Sequence, residues 1–203
     1  PIKTQMLNLI SETFHSPLDY DKIATIISHD VNLTVGLLKM VNNVATSTRV
    51  EVTSLKQAAA YLGEDKLKQF VTILALSKLT TDKTDEVSKQ ALITAKLMTA
   101  LAKENAFKEI SDFAFITGLL SAIEVILCMP INEIIKTMPL ASPIENALVD
   151  HSGLLGELLD LTTKYITGNG ENINQIIDMF SLDATSIQQE FIAACKWCKE
   201  LGI

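Results

Sequence analysis

Aromatic residues make up only 5% of this 203-residue chain, which also has few histidines (three), cysteines (three), prolines (five) and glycines (eight). So little punctuation leaves few turns to separate short strands, and no stretch sustains the apolar–polar alternation of a half-buried strand. A chain poor in aromatics, glycine and proline but rich in aliphatics has the profile of an all-helical protein. Basic residues are scarce too, 17 against 24 acids for a net charge of −7. No cluster of Lys and Arg supplies the footprint that phosphate contacts need, which argues against a nucleic-acid partner. An odd, small number of cysteines excludes a disulfide framework and fits a reducing compartment. No signal-peptide pattern opens the chain, so the expected location is the cytoplasm; Pro1 in first place reads as a fragment or a processed product. The mean hydropathy of +0.27 raises the question of a membrane. The most apolar stretch, 113–129, is interrupted by Thr117, Ser121 and Glu124 and falls short of the roughly 20 residues that span a bilayer. It reads as a buried core helix, and no membrane partner is expected.

Helical periodicity runs through what remains. Apolar spacing predicts helices over 3–14, 20–28, 31–44, 54–62, 64–79 and 85–105, the second capped by Asp19. Further helices are predicted over 113–128 (capped by Ser111 or Asp112), 131–137, 144–150, 154–166, 173–180 and from Asp183 to near Leu201. Gly118, inside one of them, costs about 1 kcal/mol of helix propensity and implies close approach by a neighbouring helix. No internal repeat and no long linker divides the chain. The expectation is one all-α domain over 1–203 of about ten to twelve helices. Its core region is 6–128, and 129–203 is a C-terminal helical part able to pack as a subdomain.

The most informative stretch is 30–63. Asp30 stands where an N-cap belongs, before the apolar run that starts at Val31. Projected at 100° per residue, Asn32, Gly36, Lys39 and Asn43 form a narrow stripe, so the helix is expected to be enclosed over most of its circumference. Asn42 projects among Val31, Val35 and Leu38 on the apolar side, and a buried amide needs hydrogen-bond partners. The nearest are backbone groups of the segment 45–53. Ser54 then caps a second helix, and Gly63 ends it with a C-cap signature.

Asp30, Leu33, Leu37, Leu38, Asn42, Ser54, Ala58, Leu62 and Gly63, in this order and spacing, resemble the HDOD domain, a bacterial signalling module. Where the family usually has Pro after the acid, this chain has Val31. The run FITGLLSAIEVIL and the segment after Pro130 resemble the HDOD version found downstream of an EAL domain, a cyclic-di-GMP phosphodiesterase. The resemblance implies an HD-like helical fold without the metal ligands of HD phosphohydrolases. It also implies a regulatory role exerted through a protein partner or an attached EAL domain. A second copy of the chain is a further candidate partner.

Residue chemistry offers two enzymatic temptations. His29-Asp30 spells the pair of HD phosphohydrolases, which hold divalent metal with additional His and Asp ligands. Only His15 and His151 remain to help, so the expectation is a non-enzyme with no catalytic residue, metal or cofactor. Cys195-x-x-Cys198 lacks a second pair or nearby histidines to complete a zinc site, and Cys198 shares the face of Ile187, Phe191 and Ala194, so core packing is expected. Gly168-Asn169-Gly170 has neither the strand nor the lysine of a phosphate loop, and no G-x-S-x-G occurs. Met98, Met129 and Met138 read as core filler. Thr46, Ser47, Thr48, Arg49 and Thr53 form the candidate interaction loop. A small-molecule sensor would instead need a pocket, with Ser121 and Glu124 as its candidate polar groups.

Overall fold

The structure, a computed structural model, describes residues 2–44, 52–80, 84–170 and 173–201. These residues contain thirteen α-helices, one 3-10 helix and no strand. In order they are α1 (Ile2–Glu12), α2 (Tyr20–Ser28), α3 (Val31–Val44), α4 (Leu55–Leu62), α5 (Glu64–Leu79), α6 (Asp85–Leu101), the 3-10 turn Asn105–Ile110 and α7 (Ser111–Leu120). There follow α8 (Ile123–Leu127), α9 (Ile131–Thr137), α10 (Ser142–Val149), α11 (Gly153–Thr167), α12 (Ile173–Met179) and α13 (Ala184–Glu200). The all-α expectation is met.

Two apolar clusters organise the packing. The first gathers α1–α5 with parts of α6–α9, and α5 runs through it with Phe70–Leu76 buried on every side. A helix buried all round must be apolar all round, which is why α5 carries only a weak polar stripe. The second gathers α10–α13 around Leu97, Met98, Leu101, Phe107 and Ala114. The α6–α7 pair contributes to both. It is held close at Gly118, where an added Cβ would lie 2.6 Å from the Ala95 Cα. The close approach expected of this glycine is therefore real. The end of α13 returns to the first cluster: Leu201 is buried there, and Trp197 meets Phe115 edge-on at 6.3 Å. Met98 and Met138 are fully buried and Met129 is packed against the first cluster, as filler should be.

Four expectations are corrected. First, α3 is not enclosed: Val31 is 75% and Val35 43% exposed. Its buried face is Leu33, Leu37, Met40 and Val41, where α2, α4 and α5 pack against it. Second, neither Ser111 nor Asp112 caps α7; the helix grows directly from the 3-10 turn, and the Ser111 hydroxyl donates to the Lys108 carbonyl at 2.9 Å. Third, α6 stops at Leu101, earlier than its periodicity implied, and the predicted helix 113–128 is broken at Ser121–Ala122. There the Ser121 hydroxyl donates to the Gly118 carbonyl at 2.7 Å, a local bond that competes with the helical ladder. Fourth, the apolar stretch is longer than read: Ala106–Leu127 spans 22 residues and by length and hydropathy could cross a membrane. More than half of its most apolar window, 56%, is buried inside the protein, and the helix breaks interrupt it.

Candidate functional site

The motif residues assemble at α2–α5. Asp30 Oδ1 accepts the Asn32 N–H at 2.8 Å and the Leu33 N–H at 3.3 Å, and the Asp30 carbonyl accepts the Thr34 N–H at 3.1 Å. The carboxylate thus satisfies two donors that the start of α3 leaves free, in the favourable field of its N-terminus. Leu33 and Leu37 are buried, and Leu38 packs against the same cluster. Near the end of α3, Asn42 faces Val52 with its whole amide. Oδ1 accepts the Val52 N–H at 2.8 Å, and Nδ2 donates to the Val52 carbonyl at 3.0 Å. The partner expected of Asn42 is found.

Ser54 Oγ accepts the Gln57 N–H at 3.2 Å and so caps α4. Gln57 reaches back: its Oε1 accepts from the Thr53 N–H at 2.9 Å and from the Thr53 hydroxyl at 3.1 Å. Ser54-x-x-Gln57 has the capping-box spacing, a signal that could have pointed to Gln57 from sequence. Ala58 is buried and Leu62 packs beside it. Gly63 ends α4 at φ 76° with no atom near a would-be Cβ, so conformation and not space demands glycine there. Immediately after it, Glu64 pairs with Lys68 at 2.9 Å and accepts the Leu18 N–H at 3.2 Å, fastening the α1–α2 connection to α5. The Lys68 ammonium holds the Glu64 carboxyl below the usual carboxylate range. Across the same connection, Lys22 pairs with the nearly buried Glu12 at 2.6 Å, which raises the Lys22 ammonium above its ordinary value.

Because Ala58 and Leu62 turn inward, the outer face of α4 is left to Lys56, Ala59 and Ala60. These residues face Tyr20, Asp21 and Ala24 of α2 across a cleft of about 420 Å³. A second cleft of about 80 Å³ lies between the end of α5 and the start of α6, lined by Thr80, Asp85, Ser88 and Lys89 among others. The first joins α2 to α4, far apart in the chain, so local spacing does not reveal it; the second is formed by consecutive helices.

Ser121 and Glu124, the polar groups expected of a sensor pocket, are both exposed and line neither cleft. The Glu124 carboxylate instead accepts the Ile131 N–H at the start of α9. Of the candidate interaction loop, Thr46, Ser47, Thr48 and Arg49 lie outside the described residues, and Thr53 is occupied with Gln57. His29 is exposed at the end of α2; His15 lies 3.7 Å from Glu12. Among the described residues no group of three or more His, Cys, Asp or Glu side chains could hold a metal ion. Asp30 Oδ1 is bound to two backbone N–H groups. Cys195 and Cys198 are free and half-buried, and burial pushes the Cys198 thiol up.

A profile of the HDOD domain matches residues 1–150. The chain belongs to the HDOD family. This HDOD chain is 28% identical over 196 residues to a protein of Vibrio cholerae named cyclic di-GMP phosphodiesterase CdgJ, covering 97% of the chain and 45% of that relative. It is 25% identical over 196 residues to the uncharacterized protein YuxH of Bacillus subtilis, covering 95% of the chain and 47% of that relative. The HDOD chain therefore spans under half the length of both relatives. No solved structure matches it significantly. The family and the named relative support a signalling-related role.

Proposed function

We propose that this HDOD domain is a non-catalytic regulatory module of the bacterial cytoplasm that acts by protein–protein contact. It is coupled to cyclic-di-GMP signalling through an EAL domain outside residues 1–203. The observation that carries this reading is that Asp30 Oδ1 accepts two backbone N–H groups in the first turn of α3, which gives the acid of the His29-Asp30 pair a helix-capping role. The name of the Vibrio cholerae relative, and the larger remainder of that protein beyond the matched part, support the link to cyclic di-GMP. The net charge of −7 favours a protein partner over nucleic acid.

The test compares cyclic-di-GMP hydrolysis by the full-length gene product, by the same product lacking this domain, and by the chain alone with Mn²⁺. The expected result is no turnover by the chain alone and an altered rate on deletion. Turnover by the chain alone that His29→Ala abolishes overturns the reading.

A further inference from the structure

Cys195 and Cys198 stand one turn apart on α13, near the point where the C-terminal part of the chain meets the first apolar cluster. Earlier in α13, Ile187, Phe191 and Ala194 pack in the second cluster. The last turn then crosses over. Among the described residues, the only apolar ones after Val149 that pack in the first cluster are Trp197, Cys198 and Leu201. Trp197 meets Phe115 edge-on at 6.3 Å and lies beneath the Lys96 ammonium, 5.0 Å from the ring centre. The Cys198 thiol approaches the Lys89 carbonyl of α6, with Sγ 4.0 Å from the oxygen. Cys195 is half-buried and belongs to neither cluster.

Helix geometry puts the two Cα atoms about 5 Å apart, inside the range of about 4.4–6.8 Å that a disulfide spans. Their Cβ atoms, about 5–6 Å apart on a regular helix, are farther than the roughly 3.5–4.5 Å that the bond requires. The pair is near enough to join, but not with the helix intact. The turn that must yield is the last one, because Cys198 lies in the final turn of α13 while Cys195 is held in its body. Helix ends open at the least cost. That same turn carries Trp197 and Leu201, so drawing Cys198 toward Cys195 pulls both anchors from the first cluster.

We propose that Cys195 and Cys198 are a redox-sensitive latch: the free thiols let the last turn of α13 dock on the first cluster, and a disulfide between them releases it. The oxidant is hydrogen peroxide. Cys195, packed in neither cluster, reacts first: its thiolate attacks one peroxide oxygen, the S–O bond forms, the O–O bond breaks, and hydroxide leaves and takes up a proton. The Cys198 thiolate then attacks the Cys195 sulfur; the S–S bond forms, the S–O bond breaks, and a second hydroxide leaves and becomes water. In all, two thiols lose two electrons and two protons, and one peroxide is reduced to two waters. Burial pushes the Cys198 thiol up, which suits it to the second step, where its target is already alongside. Distortion of the helix makes the bond easy to reduce, as a reversible switch requires. The device resides in α13 and the first cluster and stands apart from the signalling reading.

Trp197 is the single tryptophan of the chain, so its fluorescence reports the latch directly. The 203-residue chain carrying Cys128→Ser, which removes the exposed third thiol, is treated with hydrogen peroxide and then with dithiothreitol. Mass spectrometry of the intact chain is expected to show the loss of two hydrogen atoms, and peptide mapping a Cys195–Cys198 link. Trp197 emission is expected to move to longer wavelength and to become more open to quenching by acrylamide, and dithiothreitol to reverse both changes. Reversal distinguishes the disulfide from oxidised methionine, which needs its own reductase. Cys195→Ser and Cys198→Ser, each in the same background, are expected to show neither the link nor the reversible shift. Circular dichroism confirms that they fold, and a serine variant that unfolds is replaced by Cys195→Ala or Cys198→Ala. Peroxide treatment that leaves the pair unlinked overturns the inference. So does a link that leaves Trp197 emission unchanged, or a reversible shift that either variant with one cysteine shares.

Discussion

Asn42 grips Val52 at both ends of its backbone, accepting from the N–H at 2.8 Å and donating to the C=O at 3.0 Å, and so joins the end of α3 to the approach to α4. A side-chain amide offers a donor and an acceptor side by side without carrying a charge. Asn42→Leu leaves both Val52 backbone groups unpaired in a place where Val52 is 5% exposed. The expected cost is about 2–4 kcal/mol, one to two per unsatisfied group. Asn42→Asp keeps the acceptor but sets an oxygen against the Val52 carbonyl, so it is expected to destabilise as well. Urea unfolding of the three proteins measures both.

Two helical glycines make a contrasting pair. A Cβ at Gly118 would lie 2.6 Å from the Ala95 Cα and 2.8 Å from its N, both backbone atoms that cannot rotate away. Gly118→Ala is expected to push α6 and α7 apart and to cost about 1–3 kcal/mol, more than the propensity gain returns. A Cβ at Gly36 meets only Leu74, whose Cδ1 lies at 2.8 Å and is the far end of a flexible side chain. Gly36→Ala is expected to be within about 1 kcal/mol of wild type, helped by helix propensity. Thermal unfolding of both variants side by side decides whether backbone contact is what separates them.

How much of this could be read beforehand follows from distance along the chain. Asp30, Ser54 and Gly63 act on their own helix ends, and Asn42 reaches only ten positions, so local spacing exposed all four. The exposure of Val31 and Val35 was not legible, because the sequence cannot say that α2, α4 and α5 would leave one side of α3 uncovered. The cleft was not legible either: Tyr20 and Asp21 come together with Lys56 only once α2 and α4 have packed. Gln57 was legible by its spacing from Ser54. The break at Ser121–Ala122 was not legible, because Ser121 is one of three polar residues in the apolar run and the spacing stays helical on both sides of it.

Acid should loosen the contact between the α1–α2 connection and α5. Lys68 holds the folded Glu64 carboxyl below its ordinary 4.5, so its contribution is complete above that value and is lost as pH falls through the lower folded one. Glu64→Gln keeps an acceptor for the Leu18 N–H but does not titrate. The stability difference between wild type and Glu64→Gln is therefore expected to be largest near neutral pH and to shrink below pH 4.5. Denaturant titrations at a series of pH values check this; a difference that grows on acidification contradicts it.

Thermal unfolding of the wild type, Asp30→Asn and Asp30→Ala, each with and without excess Mn²⁺, goes straight to whether position 30 starts a helix or binds an ion. The account predicts that Mn²⁺ leaves every melting temperature unchanged. It also predicts that Asp30→Asn, which keeps the capping oxygen, stays close to wild type while Asp30→Ala loses about 1 kcal/mol. A melting temperature that rises with Mn²⁺ in the wild type, and does so neither in Asp30→Asn nor in Asp30→Ala, would contradict it.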